Sequence, residues 1–280
     1  MIYREFQPHP KLAKFIECYW TAKADQPPFR KQESLIPDGT IELMFNFGDN
    51  YSHITEESRK NIKGSHIIGI RKQSLFISQT KKQNFFSIRF KLGGTYPFFK
   101  IPAHLFANAF YGLNELLDKK YKELEQQLQE AQSDELRVTI TERCLLQMLD
   151  KDMGDYGFVN ACSARLMQNS PLKIQDLATE FNTTYKTIER KFKNVIGLTP
   201  TELLKIKRFN KALYSMYSCR YDSLSAIAGE CGYYDQSHFI REFKQLTRYS
   251  PREFLQKQFT IVQVIQPALA ARLSKSYNLS

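Results

Sequence analysis

Apolar and polar positions follow two different periods along this chain. Up to about residue 110 the period is two. Phe85 to Lys91 sets Phe86, Ile88 and Phe90 on one side and Ser87, Arg89 and Lys91 on the other, and Ile41-Glu42-Leu43-Met44-Phe45-Asn46-Phe47 follows the turn Pro37-Asp38-Gly39. Both stretches predict strands. His66 to Ile70 and Leu75 to Ser78 predict two more, and the spacing of apolar residues from Leu12 to Tyr19 predicts an early helix. Together they predict an antiparallel, partly barrel-like α+β domain over residues 1–110, of a kind that can enclose a small molecule.

From there the period becomes helical. Leu113, Leu116 and Leu117 share a stripe, as do Leu124 and Leu128, and then Leu136, Ile140, Leu145, Met148 and Leu149. This helical connector, residues 111–169, can pack on the first domain or on a second copy of the chain. A polar, glycine-bearing joint is predicted from Asp150 to Gly157, and a helix from Phe158 to Gln168.

The most informative pattern comes next, because it occurs twice. Leu224, Ile227 and Ala228 mark a short amphipathic helix that Gly232 can end in the left-handed conformation. Asp235 is placed to cap a second helix from about Gln236, with Phe239, Phe243 and Leu246 inward. Ile174, Leu177 and Ala178 repeat the first helix 50 residues upstream; Ile188, Arg190, Phe192, Lys193 and Pro200 repeat Phe239, Arg241, Phe243, Lys244 and Pro251 at a distance of 51. Thr199-Pro200-Thr201-Glu202 matches Ser250-Pro251-Arg252-Glu253, in each case a cap followed by proline at the first helical position. A long helix from Pro200 to Tyr217 joins the copies. Residues 170–258 are therefore predicted to form an all-α domain with two helix-turn-helix motifs.

At these residues a family resemblance becomes specific. Leu172 to about Leu255 closely resembles the DNA-binding domain of the AraC/XylS family of bacterial transcription regulators. The second copy carries Ile227-Ala228, Cys231-Gly232-Tyr233, Asp235-Gln236-Ser237-His238-Phe239, Arg241, Phe243-Lys244 and Ser250-Pro251; the first carries Leu177-Ala178, Ile188 to Lys193, Gly197 and Thr199-Pro200. Two positions depart from the pattern: Arg248 stands where glycine is usual, and Asn182 where a turn glycine is common. Asn tolerates the left-handed region, so the first turn is expected to survive.

The resemblance implies double-stranded promoter DNA as a partner and RNA polymerase as another. It also implies an N-terminal domain that senses a small-molecule effector or forms a homodimer; the Pro37-Asp38-Gly39 motif leading to Glu42-Leu43 looks like an uncharacterised N-terminal type and names no ligand. By position in the family pattern, Lys186, Glu189, Arg190, Gln236, Ser237 and Arg241 are expected at base edges. An Arg fork grips guanine O6 and N7, and Gln grips adenine N6 and N7. Lys193, Lys244, Thr199 and Ser250 are assigned to phosphates, where they set register without reading sequence. Other fates stay open: Glu189 can pair with Lys193 on its own helix, and Arg190 or Arg241 can turn inward to a carboxylate.

Charge fits this picture. The net charge is +11, and between Pro171 and Gln258 basic residues outnumber acidic ones 15 to 9, which favours an acidic partner, nucleic acid first and a membrane surface second. No apolar run approaches the ~20 residues of a membrane span, and the N-terminus lacks a signal-peptide core, so a cytoplasmic protein without a membrane partner is expected. Five scattered cysteines with no C-x-x-C pair argue against disulfides and zinc. His9, His53, His66 and His104 are too far apart for a metal motif, and no hydrolase or phosphate-loop signature occurs, so no cofactor, metal or catalytic residue is expected. The set Asp38, Glu42 and His66 reads as a turn aspartate with exposed strand or loop groups. The rival function is a nucleic-acid-modifying enzyme targeted by the repeat. The tail, residues 259–280, reads as a short strand and helix broken by Pro267, packing back on a domain.

Overall fold

The computed structural model describes residues 2–25, 32–79, 82–113, 119–150, 152–168, 174–218, 223–259 and 261–262. Two antiparallel sheets organise the N-terminal part. Strands β1 (Ile2–Phe6), β2 (Ile16–Ala24), β4 (Ile41–Asn46), β7 (His66–Ile68), β9 (Gln83–Phe90) and β10 (Phe110–Gly112) form one sheet in the order β1-β2-β9-β4-β7-β10. The second sheet holds β3 (Glu33–Leu35), β8 (Leu75–Ser78), β5 (Tyr51–Ile54) and β6 (Arg59–Ile62), in that order. The sheets stack without closing into a barrel.

The expected helix at Leu12 to Tyr19 is replaced by hydrogen-bonded turns, with Leu12 and Ala13 N–H donating to His9 O, followed by β2. Leu12, Phe15, Ile16 and Tyr19 are spaced like a helix face and are all buried, but β2 lies between β1 and β9 and its ladder hydrogen bonds outweigh local spacing.

Each face of the larger sheet has its own cover. Tyr19, Leu43, Phe45, Phe86, Ile88 and Phe90 meet a helical layer. Cys18, Trp20, Met44, Phe85 and Ile68 meet Tyr51, Leu75 and Ile77 of the smaller sheet. Glu42, Asp38 and His66, expected exposed or in a turn, are therefore buried at 6, 7 and 1% exposure. Each has partners that make burial tolerable. Glu42 accepts from Arg89 Nε (3.0 Å), Trp20 Nε1 (3.0 Å) and Ser87 Oγ (3.1 Å). Asp38 pairs with Arg71, whose Nε also donates to Ile36 O at 2.8 Å. His66 Nδ1 donates to Gly64 O and its Nε2 accepts from Tyr51 OH at 2.6 Å.

A short helix α1 (Tyr96–Phe99) and a 3-10 turn (Ala103–Phe106) precede β10. Helices α2 (Lys119–Glu130) and α3 (Asp134–Met148) then pack antiparallel over the larger sheet, burying Leu124, Leu128 and Leu145; Leu116 and Leu117 lie outside the described residues. Ser133 caps α3, and Asp134 in its first turn holds Lys23 (2.9 Å) and Arg137 (3.2 Å).

The remaining helices are α4 (Asp155–Met167), α5 (Ile174–Glu180), α6 (Tyr185–Val195), α7 (Pro200–Tyr217), α8 (Leu224–Glu230), α9 (Gln236–Thr247) and α10 (Pro251–Lys257). The internal repeat is wider than the helix pair read from the sequence. Tyr156, Val159, Cys162, Ser163 and Leu166 of α4 are buried, and 50 residues on so are Ile206, Phe209, Ala212, Leu213 and Met216 of α7. So α4-α5-α6 and α7-α8-α9 are two copies of one three-helix unit, and α4 packs on both α6 and α7. Phe259 is buried among Phe76, Tyr249 and Phe254, and Ile261 N–H donates to Glu33 Oε2 at 3.0 Å, so the tail does reach the N-terminal domain. Ile261 and Val262, where the expected strand begins, are helical instead, and the rest of the expected strand and helix lies outside the described residues.

Candidate nucleic-acid interface

Each outward helix is set by its ends. Thr184 caps α6 by accepting from Thr187 N–H, and Asp235 caps α9 by accepting from His238 N–H at 2.6 Å. The preceding turns need a left-handed residue, supplied by Asn182 (φ +47°) and Gly232 (φ +77°). Ile188, Phe192 and Val195 of α6, and Phe239, Phe243 and Leu246 of α9, fill the units' cores.

The opposite faces are open. Lys186 and Arg190 on α6, and Gln236, Ser237 and Arg241 on α9, are exposed, and no described residue bonds or ion-pairs with them. Among the described residues, neither Arg turns inward to a carboxylate. Glu189 is only half-exposed and takes its other fate, holding Lys193 Nζ at 2.7 Å; this contact keeps the Lys193 ammonium charged to higher pH than usual. Lys244 is exposed. Thr199 and Ser250 each close a capping box, accepting from the N–H of Glu202 and Glu253 while those carboxylates take the cap N–H at 2.8 Å. Two exposed tyrosines sit beside the expected set: Tyr185 opens α6, and Tyr234, 93% exposed, precedes the α9 cap. Tyr234 was missed because no helical period includes it.

The basic residues of α7 are structural fasteners. Lys207 donates to Met167 O (2.7 Å), Lys205 to Gln245 (2.9 Å) and Lys211 to Glu230 O (2.6 Å). Arg208 grips Glu242 on α9 through Nε (3.1 Å) and Nη2 (2.5 Å), with its guanidinium 4.5 Å from the Tyr233 ring centre. The corresponding position on α6 is Lys191, held by Asp155 of α4 at 2.5 Å. Each outward helix is thus tied by one ion pair to the first helix of its own unit, with the signs reversed.

Two open polar helix faces, each backed by a packed three-helix unit, define a tandem helix-turn-helix module. Residues 177–257 match the family model described as a helix-turn-helix domain, and residues 4–111 match one described as a domain of unknown function (DUF6597). The C-terminal part of the chain is an AraC-type helix-turn-helix domain. It is 32% identical over 89 residues to the HTH-type transcriptional activator RhaS of Klebsiella pneumoniae, covering 32% of each chain. It is also 32% identical over 87 residues to RhaS of Salmonella paratyphi B, covering 31% of each. The match spans about a third of the length of these relatives. Among solved structures, ToxT of Vibrio cholerae aligns over 85% of this chain and 97% of its own, with 13% identity and a TM-score of 0.44.

Among the described residues, no group of three or more His, Cys, Asp or Glu is placed to hold a metal ion, and no helix is long and apolar enough to cross a membrane.

Proposed function

We propose that this protein is a sequence-specific DNA-binding transcription regulator. The observation that carries this reading is the pair of exposed Arg residues, Arg190 and Arg241, at matching positions of two units, with no partner among the described residues. A guanidinium on an open helix face, not engaged by any described residue, is available to take guanine O6 and N7. Lys186, Gln236 and Ser237 extend the base-reading set, Glu189 joins it only by releasing Lys193, and Lys244 and Lys193 meet phosphates. The hydroxyls of Thr199 and Ser250 serve their caps first. Their place at helix N-termini still lets the neighbouring N–H groups face phosphate. RNA polymerase is the downstream partner.

The N-terminal domain is the sensing part of this reading, answering to a small molecule or a protein partner. The α2–α3 pair is the proposed homodimer surface, to be checked by sedimentation of the purified chain.

Recovery of bound fragments from genomic DNA, with wild-type protein and an Arg190→Ala/Arg241→Ala variant, tests the central claim. Wild type should return a motif of two half-elements about one helical turn, ~34 Å, apart. The variant should lose it, at about 1 to 3 kcal/mol per Arg. Motif-free recovery, equal for both proteins, would sink the proposal.

A further inference from the structure

Each helix-turn-helix unit is fastened at two places. One is α7, which opens the second unit and packs on α4 of the first. The other is the N-terminal domain, through the segment between β7 and β8 and the loop before β4.

The first unit meets this bridge at the end of α6. A side-chain carbon on Gly197 would lie 2.6 Å from Ile70 and 3.0 Å from Ala103 O, so backbone and domain touch directly there. His104 Nδ1 donates to Lys193 O at 3.2 Å. Just beyond α6, where the second unit begins, Lys72 Nζ reaches Glu202 Oε1 at 2.8 Å, gripping the same carboxylate that caps α7.

The second unit meets it at the end of α9. Ser74 N–H donates to Leu246 O at 2.7 Å. Arg248 lies over the Phe76 ring at 5.6 Å and pairs with Glu56 at 3.3 Å, while Tyr249 packs edge-on against Phe76. Between the two contacts, Asn210 of α7 donates to Pro37 O at 3.0 Å, and the buried Asp38–Arg71 pair joins the Pro37 loop to the residues preceding Lys72.

The conformation of Arg248 is the second observation. Its φ is +67°, a left-handed helix end that costs a residue with a side chain about 1 kcal/mol relative to glycine. The side chain that bears this cost is the one that docks on Phe76 and Glu56.

We infer that residues Ile70 to Phe76 of the N-terminal domain form a bridge that holds the two outward helices in fixed register, with Lys72 and Arg248 as its positioning residues, so that the domain sets which half-site spacing the protein accepts. The inference rests on the DNA-reading function proposed above. Neither residue faces the groove. Both act through α7 and α9, and their loss should leave half-element sequence unchanged while altering tolerance to spacing.

The test is binding of full-length protein to operators whose half-elements are separated by the selected spacer or by spacers one to three base pairs longer or shorter. Wild type is compared with Lys72→Ala/Arg248→Gly. Glycine takes φ +67° freely, so the variant keeps its fold, which a thermal melt verifies. Wild type should lose about tenfold or more in affinity off its spacing, the cost of forfeiting one half-element's base contacts. The variant should lose several-fold less and select the same half-elements over a range of spacings. The same single spacing for both proteins would overturn the bridge and leave α7 as the sole register. A wild-type protein that selects no motif at all would overturn the DNA-reading function itself, a result distinct from the former.

Discussion

His66 shows how far a residue's chemistry follows from where the sheets place it. Burial between the sheets lowers its pKa to about 4, with the hydrogen bond to Gly64 O only partly opposing. The groups facing it are Tyr51, whose hydroxyl burial keeps protonated, and the ring of Phe110. Above pH ~6.5 neither the folded nor the unfolded imidazole carries a proton; below it the unfolded chain binds one while the folded chain resists until about pH 4. Stability should therefore fall as pH drops through this window, by on the order of 3 kcal/mol from this group. His53 shifts in the same direction, also through burial. Melting curves of wild type and His66→Gln between pH 7.5 and 4.5 check this: the acid loss should be clearly smaller in the variant, and equal losses would remove His66 from the account.

The sequence could not announce this burial. His66, Glu42 and Asp38 read as exposed because their partners, Tyr51, Arg89 and Arg71, come from 15, 47 and 33 residues away. Of the second sheet that covers them only β8 was legible; β3, β5 and β6, of three or four residues, are too short for a period to register. Arg190 and Arg241, by contrast, were legible, because a helix's own period and its cap decide which way they face.

Among elements, α9 is fastened to α7 by the Arg208–Glu242 pair. Arg208→Met would strand a carboxylate that is 8% exposed. It should cost about 3 kcal/mol, the low end for a broken buried pair, since Arg208 itself is 29% exposed. Arg208→Met/Glu242→Met should recover most of it. Denaturant unfolding of both variants decides this, and equal destabilisation by the single and double changes would show that the pair is not the anchor. At this scale the sequence was most informative. Thr199, Ser250 and Asp235 cap the helices they were expected to cap, Pro200 and Pro251 start theirs, and α7 has the predicted bounds. What escaped was α4 as the opening helix of the first unit. Its residues share with α7 only burial, not type, as the equivalence of Ser163 with Leu213 shows.

For the whole molecule, the basic surplus splits into cations that hold the structure and cations that face outward. Lys205, Lys207, Arg208 and Lys211 belong to the first group. Net charge therefore overstates the number available to phosphate, and the salt dependence of DNA binding should count only the second group. Lys244→Ala should lower the slope of log affinity against log salt by about 1 with little change in sequence preference. A titration over 50–200 mM salt measures it, and an unchanged slope would exclude Lys244 as a phosphate contact.

The reversed ion pairs also bear on how the chain reaches this state. Adjacent copies of one unit invite mistaken pairing during folding, with a helix of one copy seated in the other's core. Were α9 to take the place of α6, Glu242 would face Asp155; were α6 to take that of α9, Lys191 would face Arg208. Either exchange sets like charges together at the site that otherwise fastens the helix. The duplicated halves thus carry opposite keys, and each helix has only one lock that admits it.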